Sequence, residues 1–280
     1  GAAADDVLGW SLASVCADGP EEELTRTDRA QPALYTVSFA LWEAFSAAVA
    51  TPPEASAGHS LGEYTALAAS RAIGYLDGLR LVAARGTAMA AAAAKEPSGM
   101  AALLGAGRDE AEALAAACRD GGGRLWVANL NAPGQVVVAG GADDIAWASE
   151  HGREHGIRRV IPLKVAGAFH SPFMESAAED LSAAIGSTPF GTPAFEVWAN
   201  ATAAPHSDSI GPVLLQQLTS AVRFEDALVG MAETGISTFV HIGPGEVTAG
   251  LAKRSIEDVE THVVSTLEEA AEVAGSIGAG

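Results

Sequence analysis

Along this chain, stretches with apolar residues at helical spacing give way to short runs in which apolar residues crowd together. "AQPALYTVSFALWEAFSAAVAT" (Ala30 to Thr51) collects its apolar residues on one helical face, with Pro32 near the first turn and Pro52 and Pro53 ending it. The short segment "EASAG" leads through a tight turn into "LGEYTALAAS", which continues as helix. The next helix starts near Asp77, a residue able to cap it, and runs through "LRLVAARGTAMAAAAAK" until Pro97.

From Met100 the period changes. The segments read strand ("MAALLGA"), helix ("RDEAEALAAACRD"), strand ("RLWVANLN"), strand ("QVVVAG"), helix ("DDIAWASEHGREHG") and strand ("RRVIPLKVA"). Turn signals stand at Gly121 to Gly123 and at Asn131 to Gly134. This is the β-α-β-β-α-β order of a ferredoxin-like unit. After His170 the chain returns to helix ("MESAAEDLSAAIG"), a strand near "FEVWAN" and a last βα unit around "TFVHIGPGEVTAGLAKR". The prediction is an α/β protein: a large subdomain (1–97 and 167–280) interrupted by a small ferredoxin-like one (98–166), with no internal repeats.

Composition narrows the function classes. The 280 residues are 49% apolar, enough for one large core with a smaller one beside it. A formal charge of -19 repels nucleic-acid phosphates and anionic membranes, so neither is an expected partner. No apolar stretch is long enough for a membrane span, and the first residues, "GAAADDVLGW", carry no leader pattern. The two cysteines, Cys16 and Cys118, form no C-x-x-C and read as inert core thiols in a reducing, cytoplasmic compartment.

The candidate chemistry starts at "GHSLG", where Ser60 stands between Gly58 and Gly62. A nucleophile elbow needs small flanking residues because its strained turn brings backbone close, and both glycines are expected to serve that need. The helix behind the turn supplies free N–H groups, with the Leu61 N–H as candidate oxyanion donor. A serine hydroxyl also needs a base. His59, its neighbour, points away on an elbow. His151 and His155 have a chelating spacing but no third ligand, and read as a solvated helix face; no metal site is expected. His206, His241 and His262 read as surface or internally satisfied histidines. His170, in "VAGAFHSPFM", follows the last strand of the small unit where the chain re-enters the large one, a cleft position, and is the preferred base. Arg85 lies on the apolar stripe of its helix with Leu81, Ala88 and Met89, so its buried guanidinium must meet an anion: either an internal Asp or Glu, or a substrate carboxylate near Ser60.

Taken together, "GPEEELTRTDRAQPAL", "GHSLGEYTAL", "LVAARGTAM", "NLNAPGQVVVAGG", "GAFHSPFM", "LLQQLTSAVRF" and "HIGPGEVTAGL" resemble, in order, the malonyl-CoA:acyl carrier protein transacylases and the acyltransferase domains of fatty-acid and polyketide synthases. The resemblance implies an α/β-hydrolase-like domain with a ferredoxin-like insertion, and a cytoplasmic, monomeric enzyme without resident cofactor. It implies malonyl-CoA as acyl donor and a carrier protein's phosphopantetheine thiol as acceptor. Ser60 resembles the acylated nucleophile, His170 its base, Arg85 the residue that pairs with the malonyl carboxylate and Leu61 the oxyanion donor. Gln217 resembles a glutamine that orders the histidine, while Gln31 and Asn131 resemble pocket residues. Phe169 and Leu61 match the form that selects malonyl over methylmalonyl.

The family also begins with a strand and a Gly-Gln-Gly-Ser-Gln type loop that supplies a second oxyanion donor, and this sequence contains neither. The expectation is either an N-terminal segment missing from the sequence or impaired activity, one donor being worth about 10² to 10³ in kcat. Two rival readings stand beside transfer: a serine hydrolase or thioesterase, and an inactive carrier-protein-binding domain. Arg158, Arg159, Lys253 and Arg254 are basic islands in an acidic chain, read as solvated side chains or as a docking patch for the carrier protein.

Overall fold

A computed structural model of the protein describes residues 2–277. Its first part is helical, with Ala2–Leu8, Leu12–Asp18 and Glu21–Leu24 preceding the long helix Thr27–Ala48. That helix begins at Thr27, so Pro32 lies inside it and not in its first turn. The ring deprives the Asp28 carbonyl of its helical donor. Burial of Tyr35, Leu41 and Phe45 on the inner face holds the helix together across that gap. The helix Tyr75–Ala93 also starts earlier than expected, with Gly74 at its cap; Asp77 does not cap it but pairs with Arg80 at 2.7 Å.

Among the described residues nine strands follow in chain order: β1 (Ala55–Ala57), β2 (Ser98–Leu104), β3 (Leu125–Ala132), β4 (Gln135–Gly141), β5 (Arg159–Pro162), β6 (Glu196–Trp198), β7 (Val222–Arg223), β8 (Thr238–Ile242) and β9 (Glu260–Val264). β1 pairs with β6 and β8 with β9, both in parallel. The remaining five form one sheet in the order β5-β2-β4-β3-β7. Within it β2, β3, β4 and β5 are antiparallel neighbours, and β7 joins β3 in parallel. The helices Arg108–Asp120 and Ala142–His151 connect β2 to β3 and β4 to β5, where the sequence pattern predicts them.

The side-chain alternation of this sheet decides how it sits in the molecule. Leu103, Val136, Val138 and Leu125 face its own two helices and close a core with Leu114, Ala115 and Ile157. Met100, Ala128, Val137 and Ala139 face the other way, into the principal core with Tyr35, Tyr64, Leu79, Val82 and Leu181. Both faces are covered, so β4 reads as the continuous apolar run "VVVA" and not as an alternating strand. β3 ends against the elements that follow β1, and the chain leaving β5 crosses back to meet them. Those two crossings gather the candidate residues.

Of the two thiols, Cys118 is buried as expected but Cys16 is exposed. Cys16 lies on a short helix that buries only Leu12, which leaves its other faces open. Among the described residues no helix is long and apolar enough to cross a membrane.

Candidate active site

Ser60 occupies a sharp turn between β1 and the helix Gly62–Ala69, with φ of 53°. A left-handed conformation at a residue with a Cβ costs about 1–3 kcal/mol and persists only where its surroundings fix it. Here both sides of the serine are held: its N–H donates to Asn200 Oδ1 at 2.6 Å, and its carbonyl accepts from Gln217 Nε2 at 3.0 Å. Asn200 Nδ2 also donates to the Gly58 carbonyl at 2.8 Å, bridging the turn. A Cβ at Gly58 would overlap the Gly62 carbonyl, so glycine is required there. At Gly62 the expectation fails: a Cβ would meet nothing within 4 Å, because that position faces outward while its backbone makes the crowding.

The Ser60 hydroxyl lies 2.7 Å from His170 Nε2. The opposite ring nitrogen, Nδ1, is 2.9 Å from the Gln217 carbonyl. A carbonyl only accepts, so Nδ1 carries the proton and Nε2 offers its lone pair to the serine. Gln217 belongs to the last turn of the helix Ile210–Thr219, where carbonyls lack helical donors. That orphaned carbonyl, at the negative end of the helix dipole, occupies the place a carboxylate takes in a Ser-His-Asp arrangement. His170 is itself left-handed, with φ of 57°. Burial, and then the Arg85 charge, push its pKa down to about 3, while the Gln217 carbonyl pulls the other way. The imidazole is therefore neutral and competent to accept a proton throughout the physiological range.

Arg85 is 1% exposed, and no carboxylate lies within ion-pair distance of it among the described residues. Its partners are neutral: Gln31 Oε1 accepts from Nη1 at 2.7 Å, and Ser60 Oγ and Gln217 Oε1 accept from Nη2 at 2.9 and 3.0 Å. The guanidinium also lies over the Tyr64 ring at 5.4 Å, and its Nε–H finds no acceptor. Burial pulls its pKa below the usual value, opposed by Tyr64 and Glu63. Of the two readings of Arg85, the internal ion pair is absent and a cation touching the serine oxygen remains.

The other expected residues divide. Gln31 and Gln217 both accept from the Arg85 guanidinium. Leu61 precedes the helix Gly62–Ala69 beside Ser60, and its N–H has no acceptor among the described residues. Phe169, half-buried, packs on the principal core immediately before His170. Asn131 is not joined to the Ser60, His170 and Arg85 cluster; at the end of β3 its Oδ1 lies 2.7 Å from His59 Nε2. That bond, with the Phe224 ring against it, turns His59 away from the serine, and burial lowers the His59 pKa. His241 bonds Thr248 and the Gly243 carbonyl, His262 bonds Glu260, and His151 stacks on Trp147. No cluster of three metal-ligating side chains occurs among the described residues. Arg158, Arg159, Lys253 and Arg254 are all exposed, with Arg254 bonded to Gln135 at 2.9 Å.

Sequence reasoning missed Glu63 and Asn200, both fully buried. Glu63 Oε2 accepts from the Asn200 N–H at 3.0 Å and Gln217 Nε2 at 2.6 Å, and Oε1 lies 2.7 Å from His206 Nε2. An acidic residue on the inner face of an apolar helix, between Leu61 and Tyr64 in "LGEYTALAA", was the available signal.

The acyl transferase domain family matches this chain over residues 2–277. The malonyl CoA-acyl carrier protein transacylase of Bacillus subtilis (strain 168) is 39% identical over 267 residues, 95% of this chain and 84% of that protein. The crystal structure of an acyl-carrier-protein S-malonyltransferase from Burkholderia pseudomallei 1710b superimposes with a TM-score of 0.93 at 35% identity, covering 98% of this chain and 90% of that one. A malonyl-transacylase solved in complex with a type II PKS acyl-carrier protein superimposes at 0.90 with 33% identity, covering 97% and 89%.

The His170 environment has a stability consequence with a defined sign. Because its folded pKa is below that of the unfolded chain, the unfolded state binds more protons between about pH 6.5 and 3. The stability associated with neutral His170 is complete above that window and lost as pH falls through it, by up to roughly 1.4 kcal/mol per pH unit. Urea unfolding at pH 7, 6 and 5 is expected to give a steeper acid loss for the wild type than for His170→Gln; equal slopes would contradict the assignment.

Proposed function

The chain belongs to the acyl transferase domain family, and from that premise we propose that it transfers a malonyl group from malonyl-CoA to the phosphopantetheine thiol of an acyl carrier protein. The observation that carries this reading is Arg85: a buried cation with no carboxylate of its own, 2.9 Å from the Ser60 oxygen. A malonyl group esterified to that oxygen carries its free carboxylate one methylene beyond the acyl carbon, within reach of the same guanidinium. An acetyl group leaves the cation without an anion.

In the proposed reaction, His170 Nε2 takes the Ser60 proton as Oγ attacks the thioester carbonyl. The Leu61 N–H donates to the oxyanion, and collapse of the tetrahedral adduct expels the CoA thiolate, which takes the proton back from His170. The carrier-protein thiol then repeats the sequence in reverse, regenerating Ser60. The low His170 pKa makes it a weak base in the free enzyme, but the guanidinium that causes part of this depression also favours the serine alkoxide. A malonyl carboxylate on Arg85 neutralises that charge locally and raises the basicity of His170 as the donor binds.

The same reading divides the chain into an α/β-hydrolase-like part (1–97 and 167–280) and a ferredoxin-like part (98–166). The separate core around Leu103, Leu114 and Val138, and the β5-β2-β4-β3 order, support that division. It includes a cytoplasmic monomer that uses malonyl-CoA as substrate and needs no resident cofactor; two free thiols, one of them exposed, agree with a reducing compartment. For the hydrolase alternative, the carboxylate that usually orients the histidine is replaced by the Gln217 carbonyl.

Three outcomes test the proposal. Incubation with malonyl-CoA should leave a malonyl adduct on Ser60, observable by intact mass and passed to a carrier protein on addition; Arg85→Ala should slow malonyl loading on the order of 10²-fold more than it slows acetyl loading. Equal losses for both acyl groups would make Arg85 a structural residue. Phe169→Ser should raise methylmalonyl loading relative to malonyl by about tenfold, the usual scale for one methyl group in a tight pocket. An unchanged ratio would remove Phe169 from the selectivity of the site.

A further inference from the structure

We propose that Glu63, whose carboxylate touches neither the nucleophile nor its base, is a positioning residue that holds Ser60 in its reactive conformation by anchoring both groups that grip the serine backbone. The inference rests on the reading of Ser60 as the nucleophile. The serine amide is clamped on its N–H by Asn200 Oδ1 and on its carbonyl by Gln217 Nε2. Each clamp is a polar group on a different segment, one in the turn just beyond β6 and one on the helix Ile210–Thr219. Asn200 also bonds the Gly58 carbonyl and Gln217 the Arg85 guanidinium, but one further group ties the two clamps to each other.

Glu63 is that group. One oxygen of its carboxylate accepts from the Asn200 backbone N–H at 3.0 Å and from Gln217 Nε2 at 2.6 Å. The other takes His206 Nε2 at 2.7 Å, on a histidine side chain wholly out of solvent. A carboxylate can only accept, so the three donors converge on it without an alternative arrangement. The Gln217 amide is oriented by the same logic: acceptors at Glu63 and at the Ser60 carbonyl require Nε2 on that side, which leaves Oε1 for the Arg85 guanidinium. Glu63 lies in the first turn of the helix that starts behind the serine, so its own position is set by the elbow it supports. The result is a closed circuit in which Glu63 holds Asn200 and Gln217, and these hold Ser60.

The experiment compares Glu63→Leu, which has no acceptor, with Glu63→Gln, which keeps an oxygen able to accept from Asn200 and Gln217. Loading of Ser60 from malonyl-CoA and from acetyl-CoA is followed by intact mass, and labelling with a serine-directed fluorophosphonate reads nucleophilicity independently of acyl selectivity. For Glu63→Leu the expected result is a rate constant lowered about tenfold or more for both acyl donors and for the probe, with nearly every chain still reactive at long times. Glu63→Gln should recover to within about threefold of the wild type. Wild-type rates in Glu63→Leu would overturn the proposal. So would a smaller reactive fraction with an unchanged rate constant, which marks only misfolding, or a Glu63→Gln variant as slow as Glu63→Leu. Should Glu63→Leu fail to fold, Asn200→Ala removes one arm of the circuit and must show the same donor-independent slowing; wild-type rates there would overturn the proposal equally. A wild type that reacts with the probe but not with malonyl-CoA would sink the malonyl reading alone, and the probe rates would then decide the role of Glu63.

Discussion

A guanidinium buried without a carboxylate partner is the constraint around which this molecule is arranged. Desolvating a cation costs several kcal/mol unless its donors are met. The chain meets those of Arg85 with neutral oxygens from Gln31, Gln217 and Ser60 and with the face of Tyr64. Neutral acceptors satisfy hydrogen bonds but leave the charge uncancelled, and that residual charge bears directly on the serine oxygen. It disfavours an imidazolium at His170 and, in the proposed reaction, favours an alkoxide and takes the anionic end of the acyl group. Glu63 acts on Arg85 by charge across space and is hydrogen-bonded to it only through the Gln217 amide. An intervening amide conveys orientation without occupying the guanidinium as a direct ion pair would.

Three segments distant in sequence must meet for this to work, and the fold explains how they do. The turn after β1 supplies Ser60, the apolar stripe of the helix Tyr75–Ala93 supplies Arg85, and the return from β5 supplies His170. The helix Ile210–Thr219 locks all three through one residue: the Gln217 backbone carbonyl sets the histidine tautomer, and its side chain bridges the serine carbonyl and the guanidinium. Both left-handed residues in the pair, Ser60 and His170, are held by these bonds, so local strain and global packing are coupled at the site.

Much of this was legible in the sequence, for identifiable reasons. Ser60 declares itself through a motif whose small flanking residue at Gly58 is sterically forced, and Arg85 through a helical stripe on which a charge is out of place. His170 stands out by its position at the crossing between the two parts. What stayed hidden depends on contacts that carry no residue signature. The partner of His170 is a backbone carbonyl, which any residue could provide. Glu63 and Asn200 are buried, and although the apolar neighbours of Glu63 hint at its burial, nothing in the sequence names the donors it meets. Gly62 belongs to the motif although no atom crowds it, and Cys16 read as core because cysteine usually is, while its helix buries a different face.

The central claim is that the Arg85 charge awaits an acyl carboxylate, and the thermal stability of the acyl-enzymes tests it most directly. Malonyl-Ser60 protein supplies the missing anion in place, whereas acetyl-Ser60 protein fills similar space without charge. If the charge is uncancelled in the free enzyme, the malonyl form should melt at least ~3 °C above the acetyl form, the scale of one charge-assisted hydrogen bond in a chain of this size. Identical melting temperatures for the two acyl-enzymes would contradict it.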